Sequence, residues 1–400
     1  AVTADPPGID SIHFNPAGLA KIKGRQRMIK VLSAQMTFET DFGDNHVQQG
    51  VKDTWEDVFC PDAATDPVGA ANCSYPVDSE VENQSSSTST PLLMLPGSGL
   101  TEVPFLIVPF GGIAIEDPNY GWTFATAAYS PQAIGYERDE NAPDSYQGQR
   151  VAMSRITYFS PSIGLQVNDE LSIGASIGFS WQGFGIETKL RAPETTLAFL
   201  DQQVDILFPP GEDNDNNGED DSEEVHDGLK LAAIGPYDNV GSLTLELEDA
   251  LSLTFNLGLL WEPTEWISFG MVYQSEGTSD LEGDFKMDHT DNFIEMTESL
   301  KDLNILLSLI SGGNFNAQKV VTGTADLELI NPAHFAMGTS VKLFPNLKVN
   351  FDIKWTDYAA WENLEINFDN DIDFLTVSSL VYGAGGSGFN PDGEDNADSN

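Results

Sequence analysis

The sequence predicts an all-β fold, an antiparallel transmembrane β-barrel, and three observations carry that prediction. The first is an alternation of apolar with small or polar residues over stretches far longer than a strand of a soluble sheet. The odd positions from Leu243 to Trp261 read Leu, Leu, Leu, Asp, Leu, Leu, Phe, Leu, Leu, Trp, and the even ones from Thr244 to Gly258 are Thr, Glu, Glu, Ala, Ser, Thr, Asn, Gly. Alternate side chains of a strand point to opposite faces, which in a membrane barrel means lipid outside and a polar lumen inside. The second is that no apolar run reaches the ~20 residues of a membrane helix, so any crossing is made by strands. The third is the sorting of connections. Short turns at 117–119, 168–169, 262–264 and 345–346 use Pro, Asn and Asp, while long polar insertions run at about 43–98, 137–147, 191–240 and 288–321.

In chain order the alternation predicts strands at 26–42, 101–115, 120–134, 149–167, 171–190, 242–261, 266–285, 324–344 and 347–368, with a tenth beginning near Phe374. Leu171, Ile173, Ala175, Ile177, Phe179 and Trp181 give the fifth its greasy face, and Val349, Phe351, Ile353 and Trp355 the ninth. Tyr158, Trp181, Trp261, Trp266, Trp355, Tyr358 and Trp361 lie near strand ends and read as interfacial girdles; in a soluble protein they would be core. Two insertions carry helical spacing. Residues 195–208 present Leu197, Phe199, Leu200, Leu207 and Phe208, and residues 291–310 present Phe293, Ile294, Leu303 and Leu307. Facing each other they would form an apolar groove; the alternative is that each packs on the barrel rim.

Eighteen Lys and Arg against 63 Asp and Glu leave a net charge of -45, which repels a phosphate backbone and excludes nucleic acid as a partner. Cys60 and Cys73 sit in a polar stretch and fit a loop disulfide in an oxidising compartment, with two free thiols as the alternative. Asp213, Asp215, Asn217, Glu219, Asp221 and Glu224 match the spacing of a twelve-residue calcium loop, with Gly218 at the sharp turn. Asp220 stands where such loops pack an apolar residue, so a solvated acidic loop is the other reading. Gly174 to Gly178 spells the hydrolase elbow around Ser176, but mid-strand and without a partner histidine, so no enzyme is expected. The five histidines show no zinc spacing. Arg150, Arg155, Lys189 and Arg191 could meet a ligand carboxylate or pair with lumenal acids. Residues 1–10 lack the basic start and apolar stretch of a secretory signal, so a mature or partial form is expected.

The chain resembles the FadL family of outer-membrane transporters of long-chain fatty acids and other hydrophobic compounds. The resemblance rests on Asn15, Pro16, Ala17, Gly18 and Leu19 before the first strand, on Phe255 to Gly258, Tyr273 to Glu276 and Leu281 to Phe285, and on Trp355 to Tyr358 with Trp361 to Leu364. It implies a fourteen-stranded barrel, of which about nine or ten strands are present here, with a partial hatch at 1–25 and a C-terminally truncated barrel at 26–400. It also implies capture of a hydrophobic ligand in a groove between extracellular loop helices, an inner pocket, and lateral exit at a kink in the third strand. Tyr129, Ser130 and Pro131 are the counterparts of that kink; the alternative is that Pro131 ends its strand at the rim. Passive uptake by a monomer in outer-membrane lipid is therefore expected, with no cofactor beyond a possible calcium ion. Competing readings are a secreted calcium-binding adhesion protein and a general porin.

Overall fold

The structure is a computed structural model and describes residues 2–43, 78, 80–192, 234–235, 237–302, 318–361 and 364–369, without the side chains of 299–302. The strands are β1 (Arg25–Ala34), β2 (Phe38–Asp41), β3 (Ser85–Thr88), β4 (Thr90–Leu95), β5 (Gly99–Glu102), β6 (Leu106–Asp117), β7 (Trp122–Glu137), β8 (Arg150–Phe159) and β9 (Ser162–Gln166). They continue as β10 (Leu171–Arg191), β11 (Asn239–Thr264), β12 (Ile267–Gln274), β13 (Gly277–His289), β14 (Val320–Asn331), β15 (His334–Phe344), β16 (Leu347–Thr356) and β17 (Ile366–Phe368). One antiparallel sheet runs β1-β6-β7-β8-β10-β11-β12-β15-β16, with β9, β13, β14 and β17 extending its staves; β2 and β3 form a separate ribbon.

The staves follow the expected segments, but six of the expected strands are interrupted: 26–42 between Ala34 and Phe38, where β2 leaves for the separate ribbon, 101–115 between Glu102 and Leu106, and four more. The stretch 149–167 breaks between Phe159 and Ser162, 266–285 between Gln274 and Gly277, 324–344 between Asn331 and His334, and 347–368 between Thr356 and Ile366. Pro161 and Pro332 sit in two of these breaks and lack the N–H a ladder needs. The expected loop 43–98 contains β3 and β4, so it is not wholly an insertion. Strands also overrun the limits expected for the other loops: β10 reaches Arg191, β11 starts at Asn239, β13 reaches His289 and β14 starts at Val320. The turns at 117–119, 168–169 and 345–346 are built as expected, and Asn168 Oδ1 accepts from the amides of Glu170 (2.9 Å) and Leu171 (2.8 Å). The turn expected at 262–264 instead falls at 265–266, because β11 runs on through Pro263 to Thr264, which pairs with Ile267.

Sidedness changes along the staves. In the lower part of β11, Leu253, Phe255 and Leu257 are 53, 44 and 50% exposed, while Ser252 and Asn256 are 1 and 9% exposed. Above Asp249 the phase reverses: Leu245 and Leu247 are fully buried and Glu248 is exposed. A bulge is responsible. Ser180 pairs with Ser252 and Gln182 with Asp249, so Ala250 and Leu251 together stand opposite Trp181. The single nineteen-residue greasy face expected from the sequence is thus two faces. Leu251 to Trp261 spans about 34 Å at 3.4 Å per residue, or about 24 Å when tilted by about 45°, which fits the ~25 Å apolar band of such barrels. Eighteen steps would overshoot it at about 43 Å.

The inside of the upper part is dry. Leu245, Leu247, Leu281, Phe285, Met287, Val321, Ala325, Leu327 and Leu329 form one buried cluster, with Phe184 and Ile186 packed against it. The opposite face of the same strands carries Glu246, Glu248, Asp280, Glu282, Asp284, Asp326 and Glu328. The β4–β5 hairpin lies on that face further round, where Leu92, Met94 and Leu100 bury Trp181 and Ala152. Trp181 is therefore no lipid-facing girdle residue; its indole N–H donates to Glu248 Oε2 at 3.0 Å. Helix α1 (Ser11–Phe14) belongs to the N-terminal segment, and α2 (Asp291–Asp302) begins the expected loop helix.

Candidate translocation site: hatch, wall window and cationic ring

Polar side chains on the inner face of the lower wall bond the carbonyls of residues 2–22. Ser176 Oγ (3.1 Å) and Asn256 Nδ2 (3.2 Å) donate to Ile12 O, Gln274 Nε2 to His13 O (2.6 Å) and Ser268 Oγ to Ala4 O (2.8 Å). The inner face is polar because it is a socket, not because it is wet. Glycines let the backbones meet: Gly164 pairs with Gly174, and Gly174 with Gly258, in adjacent staves. A Cβ on Gly174 would collide with Pro16, and one on Gly258 with Asn15 and Pro16. Gly270 in β12 lies as close to Thr3, and a Cβ on its partner Gly338 in β15 would collide with Asp352.

Asn15 is the keystone of this hatch. Its Oδ1 accepts from Ala17 N (3.1 Å), capping the turn that Pro16 opens, and its Nδ2 donates to Thr3 O (2.8 Å) and Leu259 O (3.1 Å). Ala17, Gly18 and Leu19 are buried. The leading segment is held at Asp352 Oδ2, which accepts from Val2 N (2.7 Å), Thr3 N (3.1 Å) and Thr3 Oγ1 (2.9 Å). Nothing in the sequence spacing connects Asp352 to Thr3; only the barrel curvature does.

Tyr129, Ser130 and Pro131 lie within β7, which continues to Glu137. Tyr129 pairs with Thr157 and Gln132 with Arg155, so Ser130 and Pro131 oppose the single residue Ile156. Ser130 Oγ donates to Arg155 O at 2.7 Å, partly replacing the donor that Pro131 cannot supply. Pairing with β6 runs from Asp117↔Trp122 to Phe110↔Tyr129 and stops there, although β6 continues to Leu106. Above, β4 pairs with β7 at Thr90↔Glu137 and Pro91↔Tyr136. The wall thus has a window between 106–109 and 130–135, without ladder bonds among the described residues.

Inside the window, Tyr129 stacks on Phe110 (5.9 Å between centroids) and lies 5.3 Å from the ring of His13. Arg155 is 7% exposed, and its Nε and Nη2 have no hydrogen-bond partner among the described residues. Strand alternation places Gln274, His334 and Lys354 on the inner face of neighbouring staves. Burial first, and then the nearby basic groups His334, Lys354 and Arg155, pull His13 down to about 4, with Asp10 opposing. Asp249, in the same row across Gln182, is the acid that acts on Arg155, but it makes no hydrogen bond to the Nε/Nη2 edge, so a buried guanidinium edge beside a histidine kept neutral is a ready acceptor for an anion.

The remaining expected site residues divide in two. Phe293 is 2% exposed and packs with Met296 against Ala192, Ile234 and Val240, with Ile294 alongside, so these residues sit on the rim. Leu197, Phe199, Leu200, Leu207, Phe208, Leu303 and Leu307, the calcium-loop residues Asp213 to Glu224, and Cys60 and Cys73 lie outside the described residues. Arg150 pairs with Glu187 (3.2 Å) and Arg191 with Asp78 and Glu80, so both are spent on acids; Lys189 donates to Glu140 O.

A family model described as outer membrane protein transport protein (OMPP1/FadL/TodX) matches residues 1–380. No curated protein matches the chain. Among solved structures, the fold is similar to a Pseudomonas aeruginosa FadL homologue, with a TM-score of 0.58 at 15% identity over 92% of this chain and 68% of that one. It is also similar to a TodX deltaS2S3 mutant monoaromatic hydrocarbon channel, with a TM-score of 0.51 at 13% identity over 90% and 68% of the two chains. These likenesses concern the fold alone.

Proposed function

The chain belongs to the FadL/TodX family of outer-membrane transport proteins, and from that premise we propose that it takes up hydrophobic carboxylic acids, long-chain fatty acids among them, by passive diffusion. Members of the family are β-barrel channels for hydrophobic compounds in the bacterial outer membrane. The finer reading rests on Arg155. An apolar tail contributes about 0.8 kcal/mol per buried methylene, and a carboxylate supplies the bidentate partner that the guanidinium lacks. Ligand would be caught outside between the loops 191–240 and 288–321, settle with its head at Arg155 above His13, and leave sideways between β6 and β7. A monomer surrounded by lipid suffices, with no covalent chemistry and no required cofactor; a calcium ion at Asp213 to Glu224 would only order a loop.

A neutral aromatic hydrocarbon is the second reading. It is favoured by the likeness to a monoaromatic hydrocarbon channel and by the rings of Phe110, Tyr129, His13 and Phe14 around the window. Uptake of decanoate and of toluene into liposomes, for the native protein and for Arg155→Gln, separates the two. The acid reading expects decanoate uptake to fall by about tenfold or more in the variant, from loss of a charged hydrogen-bond pair of about 1.5–3 kcal/mol, with toluene little changed. Equal losses for both ligands would refute the assignment of Arg155 to the head group.

A further inference from the structure

We propose that His13 is a proton carrier for the transported acid: the ligand enters as the anion, His13 takes a proton from water as the anion binds, and the acid leaves in its neutral form. The inference rests on the acid reading of the site. Its ground is geometric. The His13 ring sits at the tip of α1, held by Gln274 Nε2 on its own carbonyl (2.6 Å) and flanked by Phe14 (5.1 Å) and Tyr129 (5.3 Å). The charged and titratable groups acting on it come from four elements packed around the hatch tip: Arg155 on β8, Tyr129 on β7, His334 on β15 and Lys354 on β16. Asp10, one turn back in the hatch, is the one acid among the described residues that acts on His13, and its Oδ2 is already paired with Lys30.

Asp249 acts on Arg155 from across Gln182, yet the Nε/Nη2 edge of Arg155 still has no hydrogen-bond partner among the described residues, so the site has room for one more carboxylate. With the site empty, burial and the neighbouring basic groups, Lys354 and Arg155 among them, keep the imidazole neutral. A carboxylate between Arg155 and His13 reverses the sign of the local field, so the imidazole gains a proton while the anion is in place. Exit then demands the opposite. The window opens toward hydrocarbon, beside the exposed Ile107 and Ile134, where an isolated carboxylate costs far more than a carboxylic acid. As the head group moves away from Arg155, the proton passes from the imidazolium nitrogen to a carboxylate oxygen. The N–H bond breaks, the O–H bond forms, and His13 returns to its neutral state. The sum is one anion and one proton taken from water and one neutral acid delivered to the membrane. A hydrocarbon would use the same window without any proton.

Proton counting tests this. Calorimetry of decanoate binding to the full chain in lipid nanodiscs, repeated at about pH 6 in buffers of different ionisation enthalpy, gives the protons taken up per ligand. The expected result is most of one proton for decanoate, none for toluene, and a clear drop for decanoate in His13→Asn. Decanoate binding without proton uptake overturns the role of His13 and leaves the acid reading standing; toluene binding with no decanoate binding overturns both. Should His13→Asn fail to fold, NMR of isotope-labelled histidine in the native protein replaces it. A His13 titration that moves up by more than one pH unit on adding decanoate supports the inference, and one that does not move refutes it.

Discussion

The two ends of β11 use the same residue, leucine, at the same spacing for opposite purposes. From Leu251 to Leu259 the leucines face outward into lipid, and at Leu245 and Leu247 they face inward into a dry core. The partner faces differ accordingly. Below, Ser252 and Asn256 are buried on the hatch side; above, Glu246 and Glu248 carry the outer surface. Apolar periodicity therefore reports that one face of a strand avoids water, and says nothing about whether lipid or protein does the covering.

Removing Ala250 is the severest test of this contrast. Without the bulge, strict alternation forces either Leu245 and Leu247 out toward water or Leu253 to Leu257 into the hatch socket. Assembly into a heat-modifiable, folded barrel should fail, as read by gel mobility after refolding in detergent; a folded product with native mobility would mean the bulge is dispensable. A paired substitution grades the two ends. Leu247→Arg puts an unpaired cation in a packed core and should cost more than about 4 kcal/mol, whereas Leu257→Arg, on the lipid face, should cost about 2–4 kcal/mol. Chemical unfolding from lipid vesicles measures both, and equal costs would erase the distinction between the ends.

The smallest expected effect is confined to the hatch. His13 titrates at about 4 in the folded chain against 6.5 without the fold, so the unfolded or released hatch binds more protons between those values. Hatch seating is thus fully supported above about pH 6.5 and loses on the order of 3 kcal/mol as the pH falls to about 4, with no further loss from this group below that. Protease cleavage within residues 1–24, followed against pH, should rise across that window while cleavage of the upper barrel stays constant. A flat profile would place His13 in water rather than under the ring of cations.

Local chemistry was legible. Asn168 and Asp117 announce tight turns because each bonds amides two or three residues on. Asn15 followed by Pro16 announces a cap, and Pro131 a kink, because these effects depend only on neighbours in the chain. The bulge was nearly legible too: Asp249 is the one polar residue among the ten odd positions, and it marks the place where the phase turns. The β4–β5 hairpin also left a signal, since Pro96, Gly97 and Gly99 punctuate an apolar run and both glycines adopt positive φ. The basic group around His13 left only the charge of Arg155, one of four candidates for a ligand carboxylate. His13, Arg155, His334 and Lys354 are scattered along the chain and share no spacing that sequence reasoning can weigh.

The sequence by itself determined the all-β class, the course of the staves, the Asn and Asp turns, the Asn15 cap and the irregular pairing at Pro131, because each follows from side-chain alternation or from bonds between near neighbours. Only the tertiary structure decided which greasy face meets lipid, which glycines admit the hatch, and which distant cations crowd His13. Those choices depend on inter-strand register and wall curvature, and both are set by pairings between residues far apart in the chain.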